Sequence, residues 1–112
     1  MTTESILKLQ DYRTPGSRVF SGRPRGKNVR ERSEIDAIEP KFDKIVIEIP
    51  SDIGSINPSF LEEFLFNVVR KLGKVGFYKK FSFVSLGRYR IENDLSEAID
   101  HILKKENALA FA

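Results

Sequence analysis

Ile45-Val46-Ile47-Glu48-Ile49-Pro50, a polar turn, then Asn57-Pro58-Ser59-Phe60-Leu61-Glu62-Glu63 is the stretch on which the fold depends. The first segment is β-branched, almost wholly apolar and stopped by Pro50, which predicts a buried strand over Phe42 to Ile49. The second opens a predicted helix from Pro58 to Leu72. Its Phe60, Leu61, Phe64, Leu65, Val68, Val69 and Leu72 recur at four-residue spacing in two adjacent rows and make one wide apolar face. Asn57 suits the N-cap, Pro58 the first helical position, and Glu62 and Glu63 the positive end of the helix dipole. Gly73 fits the left-handed residue that terminates helices. A helix N-terminus gathers unpaired N–H groups and partial positive charge. Such a strand–turn–helix can bind an anion, carry a regulatory phosphate or dock a partner, and it is equally the form of an ordinary capped helix.

On the N-terminal side, Ile6-Leu7-Lys8-Leu9 predicts a short opening strand. Thr14-Pro15-Gly16 and Ser21-Gly22-Arg23-Pro24-Arg25-Gly26 are turn and breaker clusters, and a weak apolar face (Val29, Ile35, Ala37, Ile38) predicts a helix from Lys27 to Glu39, ended by Pro40. On the C-terminal side, Phe77 to Leu86 reads as a strand, and Asn93 or Asp94 caps a last helix running through Lys105. Strand, helix, strand in this order is a βαβ unit with parallel strands and a right-handed crossover. The expectation is an α/β fold: a small single-domain sandwich with a mixed sheet, a central βαβ unit and about three helices. One domain would span 1–112, with a flexible basic segment at 13–28 and a frayed tail at 106–112. Such sheets place functional groups at the carboxyl ends of their strands, here Ser51 to Ser59.

Composition narrows the classes of function. The chain has 112 residues with nine Phe, no Trp and no Cys, so phenylalanine supplies much of the core, while disulfides, thiolate catalysis and cysteine zinc sites are excluded. No apolar run approaches the roughly 18 residues of a membrane span, and Met1-Thr2-Thr3-Glu4 lacks the order of a signal peptide, which sets the expectation of a cytoplasmic protein without membrane contact. The net charge is +3, but its distribution is uneven. Arg13, Arg18, Arg23, Arg25, Lys27, Arg30 and Arg32 precede an acidic stretch from Glu34 to Glu63. These blocks permit a basic face for nucleic acid, a surface for an acidic partner, or pairing with each other.

The residues that carry chemistry are few. Ser59 with Glu62 has the spacing of a capping box. Arg18, Arg23, Arg25, Lys27 and Arg30 are candidate phosphate contacts, although only Tyr12 and Phe20 stand by for base stacking; the competing reading pairs these bases with the acidic middle of the chain. His101, the single histidine, lies off the apolar face of the last helix and reads as a surface residue. Glu62 and Glu63 point to different sides of a helix, which argues against a two-carboxylate site. Gly22 to Gly26 lacks the lysine–hydroxyl ending of a phosphate loop. No catalytic residues, cofactor or metal ligands are therefore assigned, and an enzyme is not expected.

Thr14-Pro15-Gly16-Ser17-Arg18, Gly26-Lys27-Asn28-Val29-Arg30-Glu31 and Ser59-Phe60-Leu61-Glu62-Glu63 followed by Val69-Arg70 give the chain a resemblance. From about Ile6 to Ile102 it resembles the STAS-like domains of unknown function found in bacteria and their mobile elements (STAS stands for sulfate transporter and anti-sigma factor antagonist). The resemblance implies a non-enzymatic regulatory domain. In true anti-sigma antagonists a hydroxyl residue at the start of this helix is phosphorylated by a histidine-kinase-like ATPase, which docks on the surface around it. Here Asn57-Pro58-Ser59-Phe60 occupies those positions, with Pro58 in place of the usual phosphorylated hydroxyl. The resemblance thus implies docking rather than phospho-switching, through Asp52, Ser55, Asn57, Ser59 and Glu63. The alternative is a nucleic-acid-binding accessory protein using the arginine-rich segment 13–32. A homodimer through the sheet or a helical face is a third arrangement.

Overall fold

The computed structural model describes the backbone of residues 3–110 and the side chains of residues 3–105. Its five strands are β1 (Glu4–Lys8), β2 (Val19–Phe20), β3 (Lys44–Ile49), β4 (Ser55–Ile56) and β5 (Phe81–Ser85). Its α-helices are α1 (Arg23–Ser33), α2 (Ile35–Ile38), α3 (Pro58–Phe64), α4 (Phe66–Lys80) and α5 (Glu92–Ala110). The main sheet has the order β1-β3-β5, and β2 pairs with β4 in a small second ladder. The α/β class and the βαβ unit from β3 through α3 and α4 to β5 agree with the sequence. The ladders are all parallel rather than mixed. The reason is that every connection between paired strands carries a helix, which returns the chain to the same end of the sheet.

Local backbone geometry explains why five helical segments stand where about three were expected. The predicted helix at Lys27–Glu39 starts earlier, at Arg23, and breaks at Glu34, which adopts φ 55°. A non-glycine residue there is uncommon and ends the helical run. The predicted helix at Pro58–Leu72 is interrupted at Leu65 (φ −101°, ψ 3°), and Gly73 (φ 72°) does break the helical path, as its residue type suggested. Chain beyond Gly73 then winds helically as far as Lys80, so β5 begins at Phe81 rather than Phe77. The stretch 13–28, expected to be flexible, holds a turn, β2 and the first half of α1. In the tail, backbone of residues 106–110 continues α5, and residues 111–112 lie outside the described residues.

Pleating sorts the β3 side chains. Ile45, Ile47 and Ile49 are fully buried on the face that meets the helices, joined there by Leu7 of β1 and Phe81 of β5. α3 is the centre of the helical layer, with Phe60, Leu61 and Phe64 inaccessible to solvent and α1, α4 and α5 around it. Phe20, Phe60 and Phe64 form a chain of tilted rings at 5.2 and 5.7 Å, and Phe77 stacks on Phe81 at 4.7 Å. Burying each such ring contributes about 1.5–3 kcal/mol, so the phenylalanine-rich composition becomes the stability of this layer.

Candidate functional site

The carboxyl ends of β1 and β3 lead into two turns that meet. Beyond β1 a 3-10 turn (Leu9–Tyr12) ends at Arg13. Thr14-Pro15-Gly16-Ser17 then reverses the chain, with Ser17 N–H donating to the Thr14 carbonyl at 3.0 Å and Gly16 at φ 80°. Proline followed by a glycine with positive φ is the requirement of a type II turn. The second turn runs from Pro50 into β4. Gly54 N–H donates to the Arg18 carbonyl and Asn57 N–H to the Phe20 carbonyl, both at 2.8 Å, which lays the two turns side by side.

Arg13 locks them together. Its guanidinium donates to both Asp52 carboxylate oxygens, at 2.7 and 3.0 Å, to the Ser17 carbonyl at 2.6 Å and to Gln10 Oε1 at 3.0 Å. The forked pairing holds the Asp52 carboxyl below the usual carboxylate range, through the Arg13 hydrogen bonds first and the charges of Arg13 and Arg18 in addition. Gln10, Arg13, Pro15, Gly16, Arg18 and Asp52 line a cleft of about 480 Å³. Behind it, the loop after β5 comes so close that a Cβ on Gly87 would stand 2.0 Å from the Ser51 carbonyl oxygen. The carboxyl ends of all three main strands therefore converge here, as open parallel sheets favour.

The sequence-derived candidates divide in two. Asp52, Ser55 and Asn57 are exposed along the one turn. Ser59 and Glu63 are half-buried, because α1 and α5 pack around α3. The Ser59–Glu62 capping box is not formed. Asn57 occupies the N-cap position without a side-chain cap hydrogen bond, so Ser59 stands two residues too far into the helix. Glu62 is buried instead, 3.4 Å from Arg23 Nη2 and 3.4 Å from His101 Nδ1. Glu63 turns the other way, to Arg30 at 3.3 Å, as expected for successive residues on a helix.

The basic candidates do not make one open face. Arg23 and Arg30 lie on α1 and pair with α3, and Arg25 is held by the Thr14 hydroxyl. Lys27 is exposed, and Arg18 opens onto the cleft. No protein-family model, curated protein or solved structure matches the chain. No helix among the described residues is long and apolar enough to cross a membrane.

Two residues escaped the sequence reading of the site. Arg13 stood in the basic run with nothing in the spacing to single it out; the adjoining Thr14-Pro15-Gly16 turn is the signal that its chain direction would reverse. Tyr89 supports the site from behind. Its hydroxyl lies 2.5 Å from Asp94 Oδ2 and 3.0 Å from the Ile56 carbonyl, tying the entry of α5 to the entry of α3. Burial first, and the hydrogen bond to Asp94 second, push its ionisation well above the usual tyrosine range.

Proposed function

We propose that this chain is a small, non-enzymatic regulatory protein of the STAS-like kind that acts in the cytoplasm by binding another protein. The docking surface is the paired turn at the carboxyl ends of β1 and β3, with Asp52, Ser55 and Asn57 as its exposed polar contacts and Arg18 beside them. A histidine-kinase-like ATPase is the partner class that the resemblance implies. The observation that carries the reading is the forked Arg13–Asp52 pair. It fixes two exposed turns in one geometry, and a surface ordered before binding loses less conformational entropy on association. Arg13 and Asp52 are held by each other rather than left for proton transfer, which favours recognition over catalysis. Ser59 is half-buried and followed by Glu62 and Glu63, so phosphorylation has no part in the proposal.

Nucleic-acid binding through Arg18, Arg23, Arg25, Lys27 and Arg30 has less support, since Arg23, Arg25 and Arg30 already have partners within the chain. Titration calorimetry of the purified protein against histidine-kinase-like ATPases encoded in the same genome tests the proposal. Binding should weaken about tenfold or more in Asp52→Ala and Asn57→Ala, the loss expected when a central contact worth about 1.4 kcal/mol is removed. Absence of binding to every such ATPase, or equal affinity in both variants, would reject it.

A further inference from the structure

Among the described residues, the main sheet is covered on one side only. Its strands advance in one direction, β1-β3-β5, and all run parallel. Right-handed crossovers between strands that advance in one direction put both connections on the same face. The other face is left to solvent. Its side chains, in register, are Glu4 beside Lys44, then Ile6, Val46 and Ser82, then Lys8, Glu48 and Val84, with Leu86 beyond. Ile6 and Leu86 are each 56% exposed and Val84 45%. Leu86 still belongs to this surface, since its N–H continues the ladder to the Ile49 carbonyl at 3.0 Å. Parallel sheets almost always have both faces covered, and this uncovered one carries the exposed side chains of Ile6, Val84 and Leu86.

The charges on this face say what covers it. Glu4 and Lys8 flank Ile6 on β1, and Lys44 and Glu48 flank Val46 on β3, in opposite order of sign. Consider a twofold axis lying over the row Ile6–Val46–Ser82, at right angles to the strands. It sets each strand over its own copy in reverse. On β1 and β3, Ile6 then meets Ile6, Val46 meets Val46, Glu4 meets Lys8 and Lys44 meets Glu48, so each of these charges faces the opposite sign; on β5, Ser82 meets its own copy, and Val84 and Leu86 reach past the end of the copy's strand. Such self-complementarity is the requirement of an isologous interface. We infer that the uncovered face of the β1-β3-β5 sheet is the docking surface for a second copy of this chain, packed face to face with strands reversed. The patch is small. Three strands about 4.8 Å apart and five residues long at about 3.3 Å each give about 250 Å² of sheet, against about 800 Å² per partner in stable complexes. The dimer is therefore one that dissociates on dilution, and it leaves the paired turns at the edge of the sheet free to bind another protein.

Sedimentation equilibrium across about 10 µM to about 1 mM, the range where weak association is read as Kd, tests this on the full chain. The mass should rise toward twice the monomer. Ile6→Glu and Lys8→Glu should each weaken the dimer about tenfold or more, and Glu4→Lys combined with Lys8→Glu should recover most of the loss, because the swapped charges again face opposite signs. The absence of cysteine allows a second readout that leaves the face nearly native. With a short bis-maleimide, Ile6→Cys should cross-link to itself, Glu4→Cys should link to Lys8→Cys faster than to its own copy, and Glu97→Cys on α5 should not link. A monomer at every concentration overturns the inference. So does a dimer indifferent to Ile6→Glu and Lys8→Glu, or one that cross-links through Glu97→Cys in preference to Ile6→Cys.

Discussion

Gly26 of α1 lies against the Phe60 carbonyl of α3: a Cβ built on it would stand 2.3 Å from that oxygen and 3.0 Å from the Glu63 Cβ. This closeness lets α1 seal the central helix and brings Arg23 and Arg30 within reach of Glu62 and Glu63. Gly26→Ala should force the two helices apart and cost about 3 kcal/mol, the upper end of ordinary overpacking. Gly54→Ala is the control, since its nearest neighbour would be 3.9 Å away. It should cost less than about 1 kcal/mol. Urea denaturation of the two variants checks the contrast.

Glu39 is a buried carboxylate between two lysines, with Lys71 and Lys80 Nζ each at 2.7 Å. Burial pushes its pKa up, but the two ammonium groups of Lys71 and Lys80, the latter also hydrogen-bonded to it, outweigh this and leave it below the ordinary value of 4.5. A carboxyl whose folded pKa is depressed stabilises the fold above its unfolded pKa and loses that contribution as pH falls through the folded value. Stability measured by urea should therefore decline on acidification below about pH 4.5, where an unfolded glutamate takes up its proton. Glu39→Gln should lower stability at neutral pH by about 1–2 kcal/mol, since the lysines it leaves behind are partly exposed and keep their hydration. It should also flatten the acid limb of the profile.

Arg13 and Asp52 join two exposed turns and bury no core. Arg13→Ala should leave the thermal midpoint almost unchanged while amide hydrogen exchange quickens across residues 14–18 and 51–55, because local opening is separable from global unfolding. Equal slowing or quickening throughout the sheet would show that the pair supports the whole fold instead.

Tyr89 has one hydroxyl proton to donate, and it goes to Asp94 Oδ2 at 2.5 Å, with the Ile56 carbonyl 3.0 Å from the same oxygen. Tyr89→Phe should cost about 2 kcal/mol, typical of a lost hydrogen bond to a charged group. A phenol whose folded pKa is raised stabilises the fold below its unfolded value and loses that contribution as pH rises toward the folded one. The wild type should thus weaken above about pH 10, where an unfolded tyrosine ionises, and Tyr89→Phe should not share that loss. Alkaline unfolding followed by circular dichroism checks both.

Much of the fold was legible because its elements announce themselves over a few residues. β3 shows as Ile45-Val46-Ile47 before a proline, α3 and α4 as paired rows of Phe, Leu and Val, and the first turn as Pro15-Gly16. The site was legible only in outline. Asp52, Ser55 and Asn57 do share one exposed turn, but Ser59 and Glu62 had the spacing of a capping box and do not form it. The spacing fits equally a helix that begins two residues earlier, and a buried Glu62 gains Arg23 and His101 as partners from other helices. Likewise, the helix expected to be continuous past Leu65 breaks there, though no proline or glycine marks the place.

The sequence by itself determined the strand and helix segments, the apolar sides that enter the core and the exclusion of cysteine chemistry, because those properties live in residue types and in contacts no more than four residues apart. Tertiary structure decided the rest. Arg13 meets Asp52 and Arg23 meets Glu62 across 39 residues, and whether a basic block becomes a free surface or a set of internal pairs depends on where the chain returns. The same holds for the sheet: alternation showed that β3 has two faces, but only the order β1-β3-β5 with parallel strands left one of them bare among the described residues.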